Sequence, residues 1–239
     1  MLLPCRNRVD VEEWIDDPQI SMEDIHATLR DQAIVNRWLG GGYATWVHAL
    51  PLLSKCSSYP IRVLELACGG ADLSRRIVDE ARRLGKRIEV VALDLNKNAL
   101  ERARELSAAY PEISFTHGDA LDPPFPPGEF DIVILATFLH HLPPQRVIEA
   151  LQAAARMSRG DVIAADLVRS FIAYWGIKIF ARLVKFNPVS AHDGMVSVCR
   201  AYTLSELADL AQQAGLSDWR LYRHKFYRMT LVYQGWKNQ

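Results

Sequence analysis

The sequence predicts an α/β fold: a doubly wound, mixed β-sheet with an antiparallel C-terminal strand and a helical cap at the N-terminus. Two observations carry this prediction. From residue 61 onward, short apolar runs alternate with stretches of helical length, which is typical of a parallel sheet covered by helices. Near the C-terminus, the strand-like runs 217–222 and 226–233 are joined by only three residues, and so short a connection requires antiparallel pairing.

The predicted elements follow one another at regular spacing. Strands are expected at 61–66, 88–93, 113–116, 130–135 and 161–165, and helices at 71–84, 97–110 and 145–157. Residues 131–135, Asp-Ile-Val-Ile-Leu, are mostly apolar, as in a strand that is covered on both faces. Thr203-Leu-Ser-Glu206 is a capping box, which predicts a last helix that ends at Gly215.

Two further helical segments lie outside this alternation. Residues 21–24, Ser-Met-Glu-Asp, resemble a capping box and begin a helix, which Gly40–Gly42 ends before a second helix at 43–53. We therefore expect a helical cap at 1–60 and a ligand-binding domain at 61–239 with a helical insert at about 168–200. Both the cap and the insert should lie over the carboxyl ends of the strands, where α/β sheets bind ligands.

Composition excludes several classes of protein. At 239 residues with 49% hydrophobic residues, the chain can bury one sizeable core. Lys and Arg balance Asp and Glu at 28 each, so no net field attracts nucleic acid, and we expect no such partner. The four widely spaced cysteines predict neither a disulfide framework nor a zinc site. With no apolar leader at the N-terminus, the expected location is cytoplasmic.

The most informative stretch is 61–72, Ile-Arg-Val-Leu-Glu-Leu-Ala-Cys-Gly-Gly-Ala-Asp. Small residues between a strand and a helix allow backbone N–H groups to approach a ligand closely. Glu65 at the strand end would repel a pyrophosphate and suits a ligand that carries an ammonium or sulfonium group. The glycines of G-x-G-x-x-G are incomplete here. Taken alone, the segment is also compatible with an ordinary tight turn.

Two acids follow the next two strands. Asp94 can accept hydrogen bonds from both ribose hydroxyls of a nucleoside. Its alternative role is an N-cap, for which Asn96 is also available. Asp119, in the step Gly118-Asp-Ala120, can accept a hydrogen bond from an exocyclic amine such as that of adenine, although alone it would indicate a turn.

Together, residues 63–69, Asp94, the 118–120 step and residues 130–133 resemble the class I S-adenosylmethionine-dependent methyltransferases, whose fold is Rossmann-like. Residues 138–142, Phe-Leu-His-His-Leu, resemble the small-molecule branch near the ubiquinone and menaquinone methyltransferases. Residues 36–40, Asn-Arg-Trp-Leu-Gly, and 166–170, Asp-Leu-Val-Arg-Ser, are similar to methyltransferases found beside bacterial type III polyketide synthases, which modify phenolic products.

The resemblance implies S-adenosyl-L-methionine as the donor and S-adenosyl-L-homocysteine as the product. Glu65 would orient the loop and approach the ammonium group of the donor, and Gly69 would pass its methionine moiety. Asp94 would hold the ribose, while Asp119 and Ala120 would flank the adenine. The full set of expected donor contacts is Arg37, Glu65, Ala67, Cys68, Gly69, Asp94, Leu95, Asp119, Ala120 and Ala136.

Two points qualify that set. Arg37 would bind the methionine carboxylate in bidentate fashion, and its alternative is a surface position on a helix. Ala67 and Ala71 stand where the family usually has glycine, which predicts weaker donor binding.

A phenolic acceptor has a pKa near 10, so a positioned base would assist the reaction. His141 is the first candidate, and its neighbour His140 is the third. His192 is the second; the triplet His192-Asp193-Gly194 is expected in an irregular segment and could also be an ordinary turn. A structural role is an equally good alternative for each histidine. Asp166 ends the fifth strand without an evident second carboxylate, so no metal is expected. The expected acceptor contacts are Tyr43, Trp46, Asp166, Arg169 and Trp175.

The insert at 171–186 is apolar and aromatic, with Lys178, Arg182 and Lys185 on one face. It favours a lid or core helix over an interfacial helix with weak membrane association. The expected function is metal-free O-methylation of a small phenolic or polyketide-like acceptor in secondary metabolism, by a monomer or homodimer. The alternatives are C- or N-methylation, a non-catalytic sensor of the donor, and an NAD-dependent dehydrogenase.

Overall fold

A computed structural model describes residues 5–17 and 19–235, and the outer ends of both predicted domain ranges lie outside them. Seven strands form one mixed sheet in the order β3-β2-β1-β4-β5-β7-β6. The first five strands run parallel, and β7 pairs antiparallel with both β5 and β6. The predicted fold class is confirmed. The strands are β1 (Ile61–Leu66), β2 (Ile88–Asp94), β3 (Ile113–His117), β4 (Phe130–Ala136), β5 (Ser158–Leu167), β6 (Arg220–His224) and β7 (Arg228–Gln234).

Three helices begin at capping residues that the sequence predicts, Ser21, Asn96 and Thr203. Ser21 accepts a hydrogen bond from the backbone N–H of Asp24, and Thr203 forms a complete capping box with Glu206. Asn96 caps its helix through two backbone N–H groups, which leaves Asp94 for another role. The helices are α1 (Met22–Trp38), α2 (Gly41–Lys55), α3 (Asp72–Arg83), α4 (Lys97–Leu106), α5 (Pro144–Met157), α6 (Phe171–Val184), α7 (Pro188–Arg200) and α8 (Leu204–Gln213).

The core lies on both faces of the sheet. Alternate residues of β4 point to opposite sides, so that Val133 belongs to one apolar cluster and Ile134 to the other. Helices α5 and α8 cover the first face, and α2, α3 and α4 cover the second. The expectation that the N-terminal cap lies over the strand ends is wrong for its second helix, α2, which buries Ala49 and Leu53 against the sheet.

A layer of α1, α6 and α7 covers the carboxyl ends of the strands. The sequence predicts an irregular segment around His192-Asp193-Gly194, and this is wrong, because these residues lie inside α7. A Cβ atom at Gly194 would come within 2.9 Å of Ile177 of α6. The glycine is therefore explained by close helix packing rather than by a turn.

The N-terminal strap, defined as residues 5–17, lies along α7. Cys5 forms a disulfide with Cys199, so the expectation of no disulfide is wrong; a sequence separation of 194 positions hides their proximity. The Asp193 carboxylate accepts hydrogen bonds from the backbone N–H groups of Trp14 and Ile15, both at 2.9 Å. These contacts bring the strap to the end of the sheet where the site lies. Within the described ranges, no helix is long and apolar enough to cross a membrane.

Candidate active site

The loop after β1 has the backbone that its small residues predict. Ala67, Gly69 and Ala71 adopt left-handed conformations, with φ of 55°, 51° and 54°. This region costs an L-residue with a Cβ about 1–2 kcal/mol relative to the right-handed one. Glycine adopts this conformation without that cost, and this chain accepts the strain at two alanines.

Glu65 is buried at the end of β1 and accepts a hydrogen bond from the Ser74 hydroxyl. Burial raises the pKa of the Glu65 carboxyl to about 8, against the opposing effect of that hydrogen bond. The carboxyl group is therefore mostly protonated at neutral pH.

Asp94 connects the loops that follow β1 and β2. One carboxylate oxygen accepts from the Gly69 backbone N–H at 2.8 Å, and the other accepts from the Asn96 N–H at 2.8 Å. Burial raises the pKa of Asp94, while the backbone hydrogen bonds act in the opposite direction. A carboxylate can accept about four hydrogen bonds, so these contacts leave room for a further donor. Leu95 beside it exposes its side chain to solvent.

The remaining donor candidates lie at the ends of neighbouring strands. Asp119 follows β3, accepts from the Leu121 N–H at 2.9 Å, and adjoins the buried Ala120. Ala136 ends β4 and, with Arg37, lines a cavity of about 450 Å³ between α1 and the start of α3. The strand order β3-β2-β1-β4 places the carboxyl ends of these strands side by side. The strand order reverses between β1 and β4, and α/β sheets bind ligands at such a switch point.

A larger cavity of about 580 Å³ lies between these strand ends and the layer of α1, α6 and α7. Its walls are mostly apolar. Leu29 and Gln32 of α1 line this cavity and also lie beside the loop after β1, since a Cβ atom built at Gly69 would be 3.7 Å from both. The apolar lining includes Leu29, Val35, Ile172, Ile177, Phe180 and Leu183.

His140 forms part of the polar end of this cavity. Its Nδ1 lies 2.7 Å from one oxygen of Asp166, and its backbone N–H donates to the other at 3.0 Å. Burial would raise the pKa of Asp166, but its contacts with His140 and the backbone outweigh burial and lower it. Asp166 therefore orients His140, and it is not among the residues that line the cavity.

His141 and Glu13 complete the polar end. The Nδ1 of His141 lies 3.1 Å from Asp16, and its Nε2 lies 3.8 Å from Glu13. Glu13 is only 5% exposed, and burial raises its pKa to about 7, against the opposing effect of His141. One Glu13 oxygen, Oε1, has no hydrogen-bond partner within the described part of the chain. Glu13 could not be predicted from the sequence, since a polar segment with consecutive acids is usually solvated.

Two arginines fix the short turn that carries both histidines. Arg200 is buried and donates to the carbonyl oxygens of His140 at 3.2 Å and His141 at 2.5 Å. Arg8 donates to the carbonyls of His140 and Leu142. The backbone of the turn is thus held from two sides, which limits the positions open to the two imidazole rings.

Several predicted residues lie away from the cavity lining. His192 stacks on Trp14 with ring centres 3.8 Å apart. Trp175 faces outward from α6, with the Lys178 ammonium 4.7 Å from its ring centre. Arg169 forms a bidentate pair with Glu206. The other two, on α2, are Tyr43, which meets His224 edge to face, and Trp46, which packs under Arg76.

The sheet, the strained loop and the acids that end the next two strands define a nucleoside-binding α/β protein. Comparison with known proteins narrows this class. Residues 63–161 match a family model described as a methyltransferase domain. A ubiquinone biosynthesis O-methyltransferase of Aromatoleum aromaticum is 31% identical over 175 residues, which cover 72% of this chain and 70% of that protein.

Two other proteins are similar to this chain, one in sequence and one in fold. A demethylmenaquinone methyltransferase of Bacillus licheniformis is 26% identical over 190 residues, covering 73% of this chain and 78% of that protein. The crystal structure of an S-adenosylmethionine-dependent methyltransferase from Aquifex aeolicus shares the fold, with a TM-score of 0.54 and 15% identity. The match covers 78% of this chain and 87% of that one. This chain belongs to the class I S-adenosylmethionine-dependent methyltransferases, and its donor is S-adenosyl-L-methionine. These matches support neither the dehydrogenase nor the non-catalytic sensor.

Proposed function

We propose that the enzyme transfers a methyl group to a hydroxyl oxygen of a small phenolic or quinol-like acceptor that carries an apolar substituent. The cavity of about 580 Å³ carries this proposal, because its walls are mostly apolar and Glu13, His140 and His141 form a polar end beside them. Its size lies within the range of about 300–1,000 Å³ that encloses drug-sized ligands. The names of the two curated relatives refer to menaquinone and ubiquinone, which supports a quinone-like ring.

The donor would bind at the adjoining strand ends. Glu65 would meet its ammonium group, Asp94 its ribose hydroxyls, and Asp119 its adenine. Asp94 is compatible with this role, since its backbone hydrogen bonds do not use all the acceptor positions of the carboxylate. A sulfonium donor is already activated, so the main task of the protein is to align the two reactants.

The acceptor hydroxyl would lie at the polar end of the cavity. As the oxygen attacks the methyl carbon, the carbon–sulfur bond breaks and its electron pair remains on sulfur. The hydroxyl proton must leave, and His141 remains the first candidate base because it lines the cavity. Metal independence remains a prediction.

Weak contact with a lipid surface through residues 171–186 is a second proposal. Leu183 is 76% exposed and also lines the cavity, as do the exposed Ile172 and Ile179. The apolar outer face of α6 thus reaches the cavity mouth, with Lys178 and Arg182 on the same helix to meet anionic headgroups. An acceptor with an apolar tail could enter from such a surface.

The primary test is a panel of phenols and quinols, each with and without an alkyl chain, incubated with S-adenosyl-L-methionine. We expect S-adenosyl-L-homocysteine to form fastest with the alkylated members, and fragmentation of the product to place the methyl group on oxygen. A methyl group on carbon or nitrogen would instead establish the alternative reaction. Equal turnover of both series would contradict an acceptor that is selected by the apolar cavity.

A further inference from the structure

Three metal-ligating side chains converge at the polar end of the cavity. Glu13 comes from the N-terminal strap, and His140 and His141 come from the turn after β4. One ligand atom from each residue lies within 4.8 Å of the other two. The Nε2 atom of His140 lies 3.6 Å from one Glu13 oxygen, and that of His141 lies 3.8 Å from the other.

The hydrogen bonds around this cluster decide which atoms face its centre. The Nδ1 atoms of His140 and His141 each face a carboxylate, that of Asp166 at 2.7 Å and that of Asp16 at 3.1 Å. An ionised carboxylate only accepts hydrogen bonds, so each Nδ1 carries the proton, and in the neutral ring Nε2 presents a lone pair. These lone pairs point at the Glu13 carboxylate, whose Oε1 is buried without a partner in the described chain. The two lone pairs and the unpartnered Glu13 oxygen thus converge on one point, where either a proton or a metal ion would satisfy them.

We propose that Glu13, His140 and His141 bind one divalent first-row transition-metal ion, with an open coordination position toward the cavity. Two imidazoles and one carboxylate are donors that such ions prefer. Bonds of 2.0–2.1 Å in a tetrahedral site place ligand atoms about 3.4 Å apart. The two histidine–Glu13 distances of 3.6 and 3.8 Å are close to this value, and the three ligand atoms, which lie within 4.8 Å of one another, would draw together when the ion binds. A carboxylate behind each histidine is the usual arrangement in metal sites, where it fixes the tautomer and the ring orientation.

The role of this ion rests on the proposed function. The open position would take the acceptor hydroxyl oxygen and lower its pKa, as a bound metal ion lowers the pKa of water to about 7. His141 would then be a ligand of the ion rather than the base, so the hydroxyl proton would leave to solvent, and the oxygen would keep a lone pair for the methyl carbon. The expectation of a metal-free reaction rests on Asp166 having no second carboxylate near it. The strap brings Glu13 and Asp16 to the two histidines, which removes that reason.

Cobalt provides a direct test because Co²⁺ binding is visible by absorption and does not require turnover. The full-length enzyme is treated with a chelator, dialysed, and titrated with Co²⁺ alone by calorimetry and visible spectroscopy. We expect one ion per chain, with affinity at least about tenfold weaker in Glu13→Gln and His141→Ala. Glu12→Gln, an exposed neighbour, and His26→Ala on α1 are matched controls that should bind as the parent does.

The melting temperature and the affinity for S-adenosyl-L-methionine show whether each variant is folded. The metal site would be overturned if the parent bound no Co²⁺. It would also be overturned if the folded Glu13→Gln and His141→Ala variants bound Co²⁺ as tightly as the parent. If the parent bound no Co²⁺ but still transferred methyl groups, protons would occupy the cluster, and the proposed function would stand. One bound Co²⁺ in a chain that transfers no methyl group would leave the metal site intact and reject the proposed function.

Discussion

Replacing Glu65 with glutamine tests whether this residue meets the ammonium group of the donor. Burial raises the pKa of Glu65 to about 8, so about nine-tenths of the molecules carry the proton at pH 7. A neighbouring positive charge favours the carboxylate and lowers its pKa. Binding of S-adenosyl-L-methionine should therefore displace a proton from Glu65.

The size and direction of the effect follow from these values. If the bound donor returns the pKa to its ordinary value of about 4.5, binding releases about 0.9 proton at pH 7. The donor complex has the lower pKa, so donor affinity should increase with pH between about 5 and 8, approaching tenfold per unit. The range from pH 6 to 7.5 is the most useful one, because the donor's own amino group begins to lose its proton above it.

Calorimetry at pH 7 in two buffers of different ionisation enthalpy measures the released protons directly. In Glu65→Gln the release should disappear and the pH dependence should flatten. Glu89→Gln, a half-exposed position on β2, is the matched control and should behave as the parent does. A parent enzyme that releases no proton, or a Glu65→Gln variant that releases as many, would refute the contact between Glu65 and the ammonium group.

Three further substitutions test other parts of the site. Asp94→Asn should weaken donor binding about 10- to 100-fold in calorimetry, because charged hydrogen bonds contribute about 1.5–3 kcal/mol, and unchanged affinity would exclude Asp94 from the ribose site. Ala67→Gly should raise the free energy of unfolding by up to about 1 kcal/mol in urea, since glycine adopts φ of 55° without strain; a lower value would show that the added freedom of the unfolded chain outweighs the relief. Trp175→Glu should reduce flotation with anionic vesicles, whereas Leu106→Glu, also 42% exposed, should not; equal effects would argue against a lipid contact through α6.

The fold could be predicted because its signals are local. Each strand is an apolar run, and each of α1 and α8 begins at a capping residue whose partner lies three positions away. The donor loop could be predicted for the same reason, because its signal lies in its own small residues, which the strained backbone at 67–71 requires. The error at α7 has the opposite cause. Asp193-Gly194 has the composition of a turn, and the need for glycine comes from Ile177 on another helix.

The polar end of the cavity was only half predictable. His140 and His141 follow a strand, and their position in the chain is enough to place them near the site. Glu13 lies more than 120 residues away, and the contact that brings it there is made by α7. Asp193 is a buried carboxylate inside that helix, and a buried charge requires hydrogen-bond donors. The backbone N–H groups of Trp14 and Ile15 satisfy it. Since every residue except proline carries such a donor, nothing in the side chains of the strap marks the pairing. The same carboxylate that resembled a turn residue in the sequence therefore determines where Glu13 lies, and with it the chemistry available to the acceptor.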